Sequence, residues 1–217
     1  MPQKNTTFQQ KANICRVSYN PHRHHRRSIR LKGYDYSQAG GYFVTVCSQN
    51  RDCVFGEIAD GQIRLNVFGE IVQACWYDLP RHHSRVELDA FVIMPNHVHG
   101  IIVLKGVGAQ HAAVIQGHAQ TNVPPDTLGA IVRSFKSAVT KQINELQGTP
   151  GTLMWQRNYY EHTIRNSEEL GRIRQYIVNN PAQWALDREN PAVAGVGAQH
   201  AAPLRDDIND LLSGIQP

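Results

Sequence analysis

Two histidines separated by one residue, His97 and His99, are the sharpest chemical feature of the chain. They lie in the apolar segment Met94-Pro95-Asn96-His97-Val98-His99-Gly100-Ile101-Ile102, which is typical of a β-strand that follows a turn. Alternate side chains of a strand point to the same face, so both imidazoles project together. Such a pair can supply two ligands to one metal ion. The other interpretation is a pair of partly buried, hydrogen-bonded histidines with a purely structural role.

Tyr176 and Asn180 form a second group, in a segment whose apolar stripe of Leu170, Ile173 and Ile177 predicts a helix. Residues i and i+4 share a helix face, so the hydroxyl and the amide lie one turn apart. An amide oxygen is a hard ligand suited to Mg²⁺ or Mn²⁺. Two histidines and one asparagine would leave metal positions open for a substrate oxygen, as in a catalytic site. A tyrosine at the edge of an apolar stripe is otherwise a core aromatic with a hydrated hydroxyl.

Three sequence blocks together resemble the single-tyrosine HUH transposases, most closely the REP-associated tyrosine transposases of bacteria. The blocks are Met94 to His99, Trp155 to Asn166, and Tyr176 to Pro181, and they occur in the order found in that family. The resemblance extends over residues 34–186. Each block alone is a weak or moderate signal, whereas the combination is specific.

The resemblance implies that His97, His99 and Asn180 hold a divalent metal ion, Mg²⁺ or Mn²⁺, and that Tyr176 is the nucleophile. It implies a DNA transposase that cleaves and rejoins single-stranded DNA next to hairpins of repeat palindromes. The expected intermediate is a 5′-phosphotyrosine, formed with release of a 3′-OH. The implied fold is the HUH endonuclease core, a ferredoxin-like α+β fold. The expected protein is a monomer or homodimer of the bacterial cytoplasm, associated with the nucleoid and not with a membrane.

The order of elements predicted along the chain independently favours an α+β fold, with an antiparallel sheet and helices on one face. Pro95-Asn96 predicts a tight hairpin turn, Asp126 is the expected cap of the long helix, and Pro181 is the expected end of the last helix. The predicted strands are 42–47, 62–66, 86–94 and 97–104, and the predicted helices are 67–79, 127–146 and 167–181, with a mixed strand-like stretch over 154–164.

Other side chains could take part in the chemistry or in binding. Tyr159 and Tyr160 compete with Tyr176 as nucleophiles, but they lack a ligand-type residue at helical spacing. His162 could join the site as a hydrogen-bond partner or serve the structure alone. Trp155 and Tyr160 could stack on bases. The candidate DNA contacts, which could equally be ordinary solvated charges, are Arg133, Lys136, Lys141, Arg157, Arg165, Arg172 and Arg174.

The composition excludes several classes of protein. The chain has 217 residues, 41% of them hydrophobic, which is enough to bury a core. No window of about 18 apolar residues predicts a transmembrane helix, and residues 1–17 lack the apolar region of a secretory signal. The four cysteines form no C-x-x-C pair, which argues against a zinc ribbon and favours reduced cytosolic thiols.

The chain divides into a basic arm at 1–33, a transposase-like domain at 34–186 with a low-complexity insertion at 106–125, and a low-complexity tail at 187–217. The octapeptide GVGAQHAA occurs at 106–113 and again at 195–202. Two copies do not make a structural repeat array, and our hypothesis is a repeated DNA element read in frame.

Three other functions fit parts of the pattern. A regulator could bind repeat hairpins without cutting them, although binding alone does not require His97, His99, Tyr176 and Asn180 together. A replication initiator or relaxase has the same core, but these usually carry further domains or a second tyrosine in the active helix. A metal enzyme that does not act on nucleic acid would turn over without Tyr176.

The basic arm generates a prediction about affinity. The formal net charge is +4, but residues 1–33 hold eight Lys/Arg and no acid, which leaves 14 basic against 18 acidic residues in the remainder. Deletion of residues 1–33 is expected to weaken DNA binding and to reduce its salt dependence, because fewer phosphates are neutralised. Cleavage chemistry should persist. Titration at several salt concentrations measures the slope, and an unchanged slope would contradict this role.

Overall fold

The computed structural model describes residues 34–106, 126–187 and 189–194. The strands are β1 (Gly40–Cys47), β2 (Gly56–Ala59), β3 (Gln62–Leu65), β4 (Val86–Met94), β5 (His97–Leu104) and β6 (Tyr160–Ile164). The helices are α1 (Val67–Tyr77), α2 (Leu79–His82), α3 (Leu128–Gln147), α4 (Ser167–Gln183) and α5 (Pro191–Ala194), with 3-10 turns at Gln49–Arg51 and Trp184–Leu186. The arm 1–33, residues 107–125 of the insertion and residues 195–217 of the tail lie outside the described residues, and so does nearly all of both octapeptide copies.

Four strands form an antiparallel sheet in the order β4-β5-β1-β6, and β2 and β3 form a separate hairpin. Without that hairpin, the order β1-α1-β4-β5-α3-β6 is the ferredoxin-like βαββαβ arrangement. The predicted α+β, ferredoxin-like antiparallel sheet is therefore confirmed. β5 and β1 occupy the centre of the sheet, and their residues face each other from Gly40 opposite Leu104 to Cys47 opposite His97.

Helices cover both faces of this sheet, in contrast to the expected single face. α1 and α3 pack on the face that carries Tyr42, Val44 and Val98, as the two helices of a ferredoxin-like unit do. α4 packs on the opposite face, where Phe43 and Ile101 meet its own apolar stripe. The reason is that β1 and β5 are apolar on both faces, and only a further helix can remove the second face from water. None of the described helices is long and apolar enough to cross a lipid bilayer.

The core under α1 and α3 is built around Trp76. Its ring stacks on Phe91 at a centroid distance of 4.4 Å and meets Phe135 edge-on at 5.4 Å. Leu128, Ile131 and further apolar residues of α3 complete this core, as the helical period predicts. The β4–β5 hairpin turns at Pro95-Asn96 as predicted, since Met94 pairs with His97.

Several element boundaries differ from the prediction. The cap of α3 is Thr127, whose side chain accepts a hydrogen bond from the backbone N–H of Ala130, whereas Asp126 adopts a left-handed conformation with φ of 65°. α4 continues past Pro181 to Gln183, because the proline falls in the last turn and its lost N–H costs only one hydrogen bond of the helix. β6 begins only at Tyr160.

The hairpin of β2 and β3 shows that strand 62–66 has a partner that the sequence did not reveal. The turn between them is Asp60-Gly61, with φ of 54° and 72°. Positive φ at both central residues is the turn geometry that matches the twist of a hairpin. β2 is only four residues long and lacks a clear alternation, which is why the pattern missed it.

Gly100 and Gly171 provide a paired test of the packing. A Cβ on Gly100 would collide with the ring of Trp76, whereas a Cβ on Gly171 of α4 would meet nothing within 4 Å. Gly100→Ala is expected to destabilise the fold by about 1–3 kcal/mol through overpacking. Gly171→Ala should stabilise it by about 0.5–1 kcal/mol, because alanine is the better helix former. Urea unfolding measures both, and a neutral Gly100→Ala would contradict the close approach.

Candidate functional site

His97 and His99 stand at the start of β5 and point together toward α4. Both side chains are fully buried, and their Nε2 atoms are 3.0 Å apart. The alternation of a strand brings the two rings to one face, and the tight turn at Pro95-Asn96 fixes where that face begins. The spacing predicted this shared face.

Each imidazole is hydrogen-bonded at its other nitrogen. His97 Nδ1 lies 2.8 Å from Asn96 Oδ1, and His99 Nδ1 lies 2.8 Å from Thr45 Oγ1. Such contacts orient an imidazole ring and leave its Nε2 atom available to bind a metal ion. Thr45 is the residue of β1 directly opposite His99, so the register of two strands creates this contact.

Burial keeps both histidines neutral. It holds the pKa of His97 well below the ordinary 6.5, with smaller contributions from the charges of His99 and Arg51. Burial alone lowers the pKa of His99 to about 3. At neutral pH each ring therefore has one unprotonated nitrogen, which is the form that binds metal ions.

α4 brings Tyr176 and Asn180 to these rings. Tyr176 OH is 3.5 Å from His99 Nε2, and the ring centroids are 5.3 Å apart. Two turns further along, Trp184 has its ring 6.1 Å from that of His97. Asn180 is midway between Tyr176 and Trp184 in the sequence, on the same side of the helix, so it faces the histidine pair. Its side chain is 3% exposed.

This donor set fits a divalent metal ion. Asn180 Oδ1 is buried and has no hydrogen-bond partner among the described residues, and such an atom is costly unless a ligand meets it. Two Nε2 atoms 3.0 Å apart match neighbouring ligands on an octahedral ion with bonds of about 2.1 Å. The part of the chain that the structure describes has no group of three or more His, Cys, Asp or Glu that could bind a metal, so an amide oxygen is the available third ligand.

Cys47 lies opposite His97 in the β1–β5 register and faces the same side. Burial, assisted by the charge of Glu189, raises the pKa of its thiol to about 12. The thiol is therefore protonated at neutral pH, which makes it a poor nucleophile.

Three interactions fix α4 on the sheet. Ile173 and Ile177 pack against Phe43 and Ile101 in a second, smaller core. The guanidinium of Arg174 donates two hydrogen bonds to Asp89 of β4, at 2.8 and 2.6 Å. At the start of the helix, Glu169 accepts hydrogen bonds from His162 Nε2 at 2.8 Å and from the backbone N–H of Arg165 at 2.6 Å. His162 thus anchors α4 and makes its contact at a distance from the histidine pair.

The predicted DNA contacts fall into different environments. Arg133, Arg157 and Arg165 are exposed. Lys136 donates hydrogen bonds to the backbone carbonyls of Gln156 and Arg157, and burial lowers the pKa of its ammonium group. The residues on α3, which are Arg133, Lys136 and Lys141, belong to the helix on the far face of the sheet from the histidines.

The competing aromatic residues are packed in the two cores. Tyr160 is 8% exposed and contacts Phe43 edge-on, and Tyr159 packs on the opposite face of the sheet. Trp155 is 5% exposed and packs between Phe55 and Phe135, so the prediction that it offers a stacking surface for DNA is wrong. Its side chain is needed to fill the core.

Sequence reasoning missed three residues that contact the site: Thr45, Asn96 and Trp184. Asn96 was visible only as a turn residue in the block that contains the histidines. Thr45 could be found only from strand register, and Trp184 only from the continuation of α4 past Pro181.

Comparisons with known proteins place the chain among its relatives. No family model matches it. An uncharacterized protein of Haemophilus influenzae is 43% identical over 177 residues, which are 79% of this chain and 97% of that protein. Two solved structures share 20% identity with the chain. A REP-associated tyrosine transposase bound to a REP hairpin matches with a TM-score of 0.48 over 73% of this chain and 76% of that chain. A Deinococcus radiodurans protein described provisionally as a transposase matches with a TM-score of 0.37 over 69% and 95%.

The ion pair of Asp89 with Arg174 gives stability a specific pH dependence. The hydrogen bond from Arg174 holds the pKa of Asp89 below its ordinary 3.8, against a smaller opposing effect of burial. The unfolded carboxylate therefore binds its proton more readily. The stabilisation is complete above about pH 4 and is lost as the pH falls through the lowered value. Asp89→Asn should remove this part of the profile, measured by urea unfolding between about pH 2 and 6. Arg174→Leu should do the same, and a wild-type profile in both variants would contradict the pairing.

Proposed function

We propose that this chain, which belongs to the same family as the uncharacterized Haemophilus influenzae protein, is a metal-dependent transposase that cleaves and rejoins single-stranded DNA next to hairpins. One observation carries the proposal. Two neutral imidazoles and a tyrosine hydroxyl meet between β5 and α4, and the buried, unpartnered amide oxygen of Asn180 lies one turn from that tyrosine on the same side of α4. The resemblance of the three sequence blocks to the tyrosine HUH transposases points to the same reaction.

His97 and His99 would hold the ion, Mg²⁺ or Mn²⁺, through Nε2, and Asn180 would hold it through Oδ1. When bound, the ion polarises the scissile phosphate and stabilises the negative charge that develops on it, an effect worth several kcal/mol. The protein contributes the neutral charge state of both rings, since a protonated imidazole has no free lone pair for a metal.

Tyr176 supplies the nucleophile. Its hydroxyl oxygen attacks the phosphorus, the bond from phosphorus to the 3′-oxygen breaks, and the proton lost by the phenol is regained by the leaving 3′-oxygen. One phosphodiester bond replaces another, so rejoining needs no nucleotide cofactor: a 3′-OH attacks the phosphotyrosine and Tyr176 is restored. An ordinary tyrosine, with a pKa of about 10, is a weak nucleophile at neutral pH, which is why a nearby positive charge helps.

The rigidity of α4 supports this assignment. The tyrosine ring is half-buried, contacts His99 and meets Phe43 edge-on at 6.1 Å, while Asp89 and Glu169 hold the helix at two other points. A nucleophile held close to its target before reaction gains from the entropy already lost in folding. A tyrosine on a loop would lack this advantage.

The proposed DNA path uses residues that are free to bind phosphate. Arg157 and Arg165 flank β6, are exposed, and form no ion pair within the described residues. Lys136 is engaged by two carbonyls and Arg174 by Asp89, so both would have to give up these partners to contact DNA. Arg133 could reach DNA only if the strand also passes the far face of the sheet.

Tyr176→Phe tests the proposal directly. The purified full chain is incubated with labelled, hairpin-bearing single strands taken from the flanks of its own gene, with Mg²⁺ or Mn²⁺ or with chelator. Wild-type protein should form a covalent adduct that survives a denaturing gel and depends on the metal. Tyr176→Phe should abolish the adduct, because it removes the hydroxyl that would form the phosphodiester bond with the DNA. Mass spectrometry should find the nucleotide on the peptide that contains Tyr176.

Tyr160→Phe is the matched control, since it removes a hydroxyl from the same face of the sheet and should retain the adduct. An adduct formed by Tyr176→Phe would refute the assignment. Hairpin binding by wild type without an adduct in either metal would instead support a regulator that does not cleave.

A further inference from the structure

We propose that Asn96 is a positioning residue that fixes the tautomer of His97, and that the turn after α4 clamps Asn96 in the orientation this requires. The inference rests on the proposed function in one respect, because it concerns how His97 is presented to the metal ion. The geometry that carries it involves a set of contacts independent of Tyr176.

The amide of Asn96 has only one orientation that satisfies its surroundings. Asn96 Nδ2 donates to the backbone carbonyl of Glu189 at 2.6 Å and to that of Arg51 at 3.1 Å. Both partners are carbonyl oxygens, which only accept. The nitrogen must therefore face them, and Asn96 Oδ1 must face His97, at 2.8 Å from Nδ1.

This orientation decides where His97 carries its hydrogen. An amide oxygen cannot donate, so the neutral ring must carry its hydrogen on Nδ1 and donate it to Asn96. The lone pair is then on Nε2, the atom that faces His99. A reversed amide would place an N–H against His97 and would favour the tautomer with the hydrogen on Nε2, which cannot bind a metal through that nitrogen.

No amide group fixes the tautomer of His99 in this way. Its Nδ1 contacts the hydroxyl of Thr45, and a hydroxyl can rotate to donate or to accept. Thr45 therefore leaves the tautomer of His99 open, and in metal-free protein the lone pair on His97 Nε2, 3.0 Å away, favours a hydrogen on His99 Nε2. The inference is specific to one of the two imidazoles, which makes His99 an internal reference in the same protein.

The clamp on Asn96 comes from a segment that the sequence assigned to the tail. Glu189 is 4% exposed, its Oε2 lies 2.9 Å from Arg51 Nη1, and its backbone N–H donates to Asp187 Oδ1 at 2.7 Å. These contacts hold the carbonyls of both Arg51 and Glu189 toward the amide of Asn96. The described body thus extends beyond Leu186, and Asp187 and Glu189 complete the support of His97.

The direct test is an NMR measurement of the imidazole tautomers in metal-free, full-length protein, with two-bond couplings from ring hydrogens to ¹⁵N. Wild-type His97 should show a protonated Nδ1 and an unprotonated Nε2. Asn96→Ala should shift His97 toward a mixture of tautomers. A wild-type His97 that carries its hydrogen on Nε2 would overturn the inference, and this measurement requires no variant.

Metal affinity provides the second measurement, with Mn²⁺ alone as the probe and calorimetry as the readout. Asn96→Ala should weaken Mn²⁺ binding by about 10- to 100-fold, the usual effect of losing a partner that orients a metal ligand. The matched control is Asn144→Ala. Asn144 is another buried asparagine whose Nδ2 donates to a backbone carbonyl, that of Thr152, but it lies on α3 at the far face.

Asn144→Ala should destabilise the fold and leave both the His97 tautomer and the Mn²⁺ affinity unchanged. Equal losses of affinity in the two variants would overturn the inference, because general destabilisation would then explain both. A wild-type protein with the expected tautomer and affinity that forms no DNA adduct would refute the proposed transposase and leave the role of Asn96 supported. Failure of wild type to bind either Mn²⁺ or Mg²⁺ would refute the metal-dependent transposase, and the role of Asn96 would then be decided by the NMR measurement of the His97 tautomer.

Discussion

The structure depends on one constraint, the enclosure of two imidazoles between the sheet and α4. A buried polar nitrogen without a partner costs several kcal/mol, so each ring must find its hydrogen bond inside the protein. Thr45 on the neighbouring strand and Asn96 in the turn meet this need at Nδ1. The strand register, the hairpin turn and the packing of α4 must therefore all be correct before the two Nε2 atoms can meet at one place.

The two faces of the sheet differ in the size of the core that each carries. α1 and α3 cover one face with a large aromatic core around Trp76, which holds the ferredoxin-like unit together. The other face has a small core of Phe43, Ile101, Ile173 and Ile177, and beside it the histidines and the tyrosine. α4 lies outside the βαββαβ unit, so the helix that carries the candidate nucleophile can be anchored by a few specific contacts, of which the ion pair of Arg174 with Asp89 is one.

The local sequence pattern predicted the bounds of an element correctly wherever the segment is long and strongly periodic. β4 and β5 have the bounds that their apolar runs predicted, and α3 lies within one residue of its predicted range, because a buried face imposes its period over many residues. The sequence pattern failed to predict short elements and side chains whose partners lie far away in the sequence. β2 is too short to show a period, and Trp155 reads as a free aromatic residue until α3 is packed over it. Lys136 was likewise predicted to contact DNA, but in the structure its ammonium group binds two backbone carbonyls.

The sequence by itself determined two pairings, His97 with His99 and Tyr176 with Asn180, since strand and helix periods alone decide which side chains share a face. Only the tertiary structure decided that the two faces meet. It also brought Thr45 to His99 across 54 residues of sequence and Glu189 to Asn96 across 93. Such contacts depend on strand register and on which face of the sheet a helix covers. The burial of apolar residues from distant segments determines the register and the covered face, and a local sequence pattern contains no information about either.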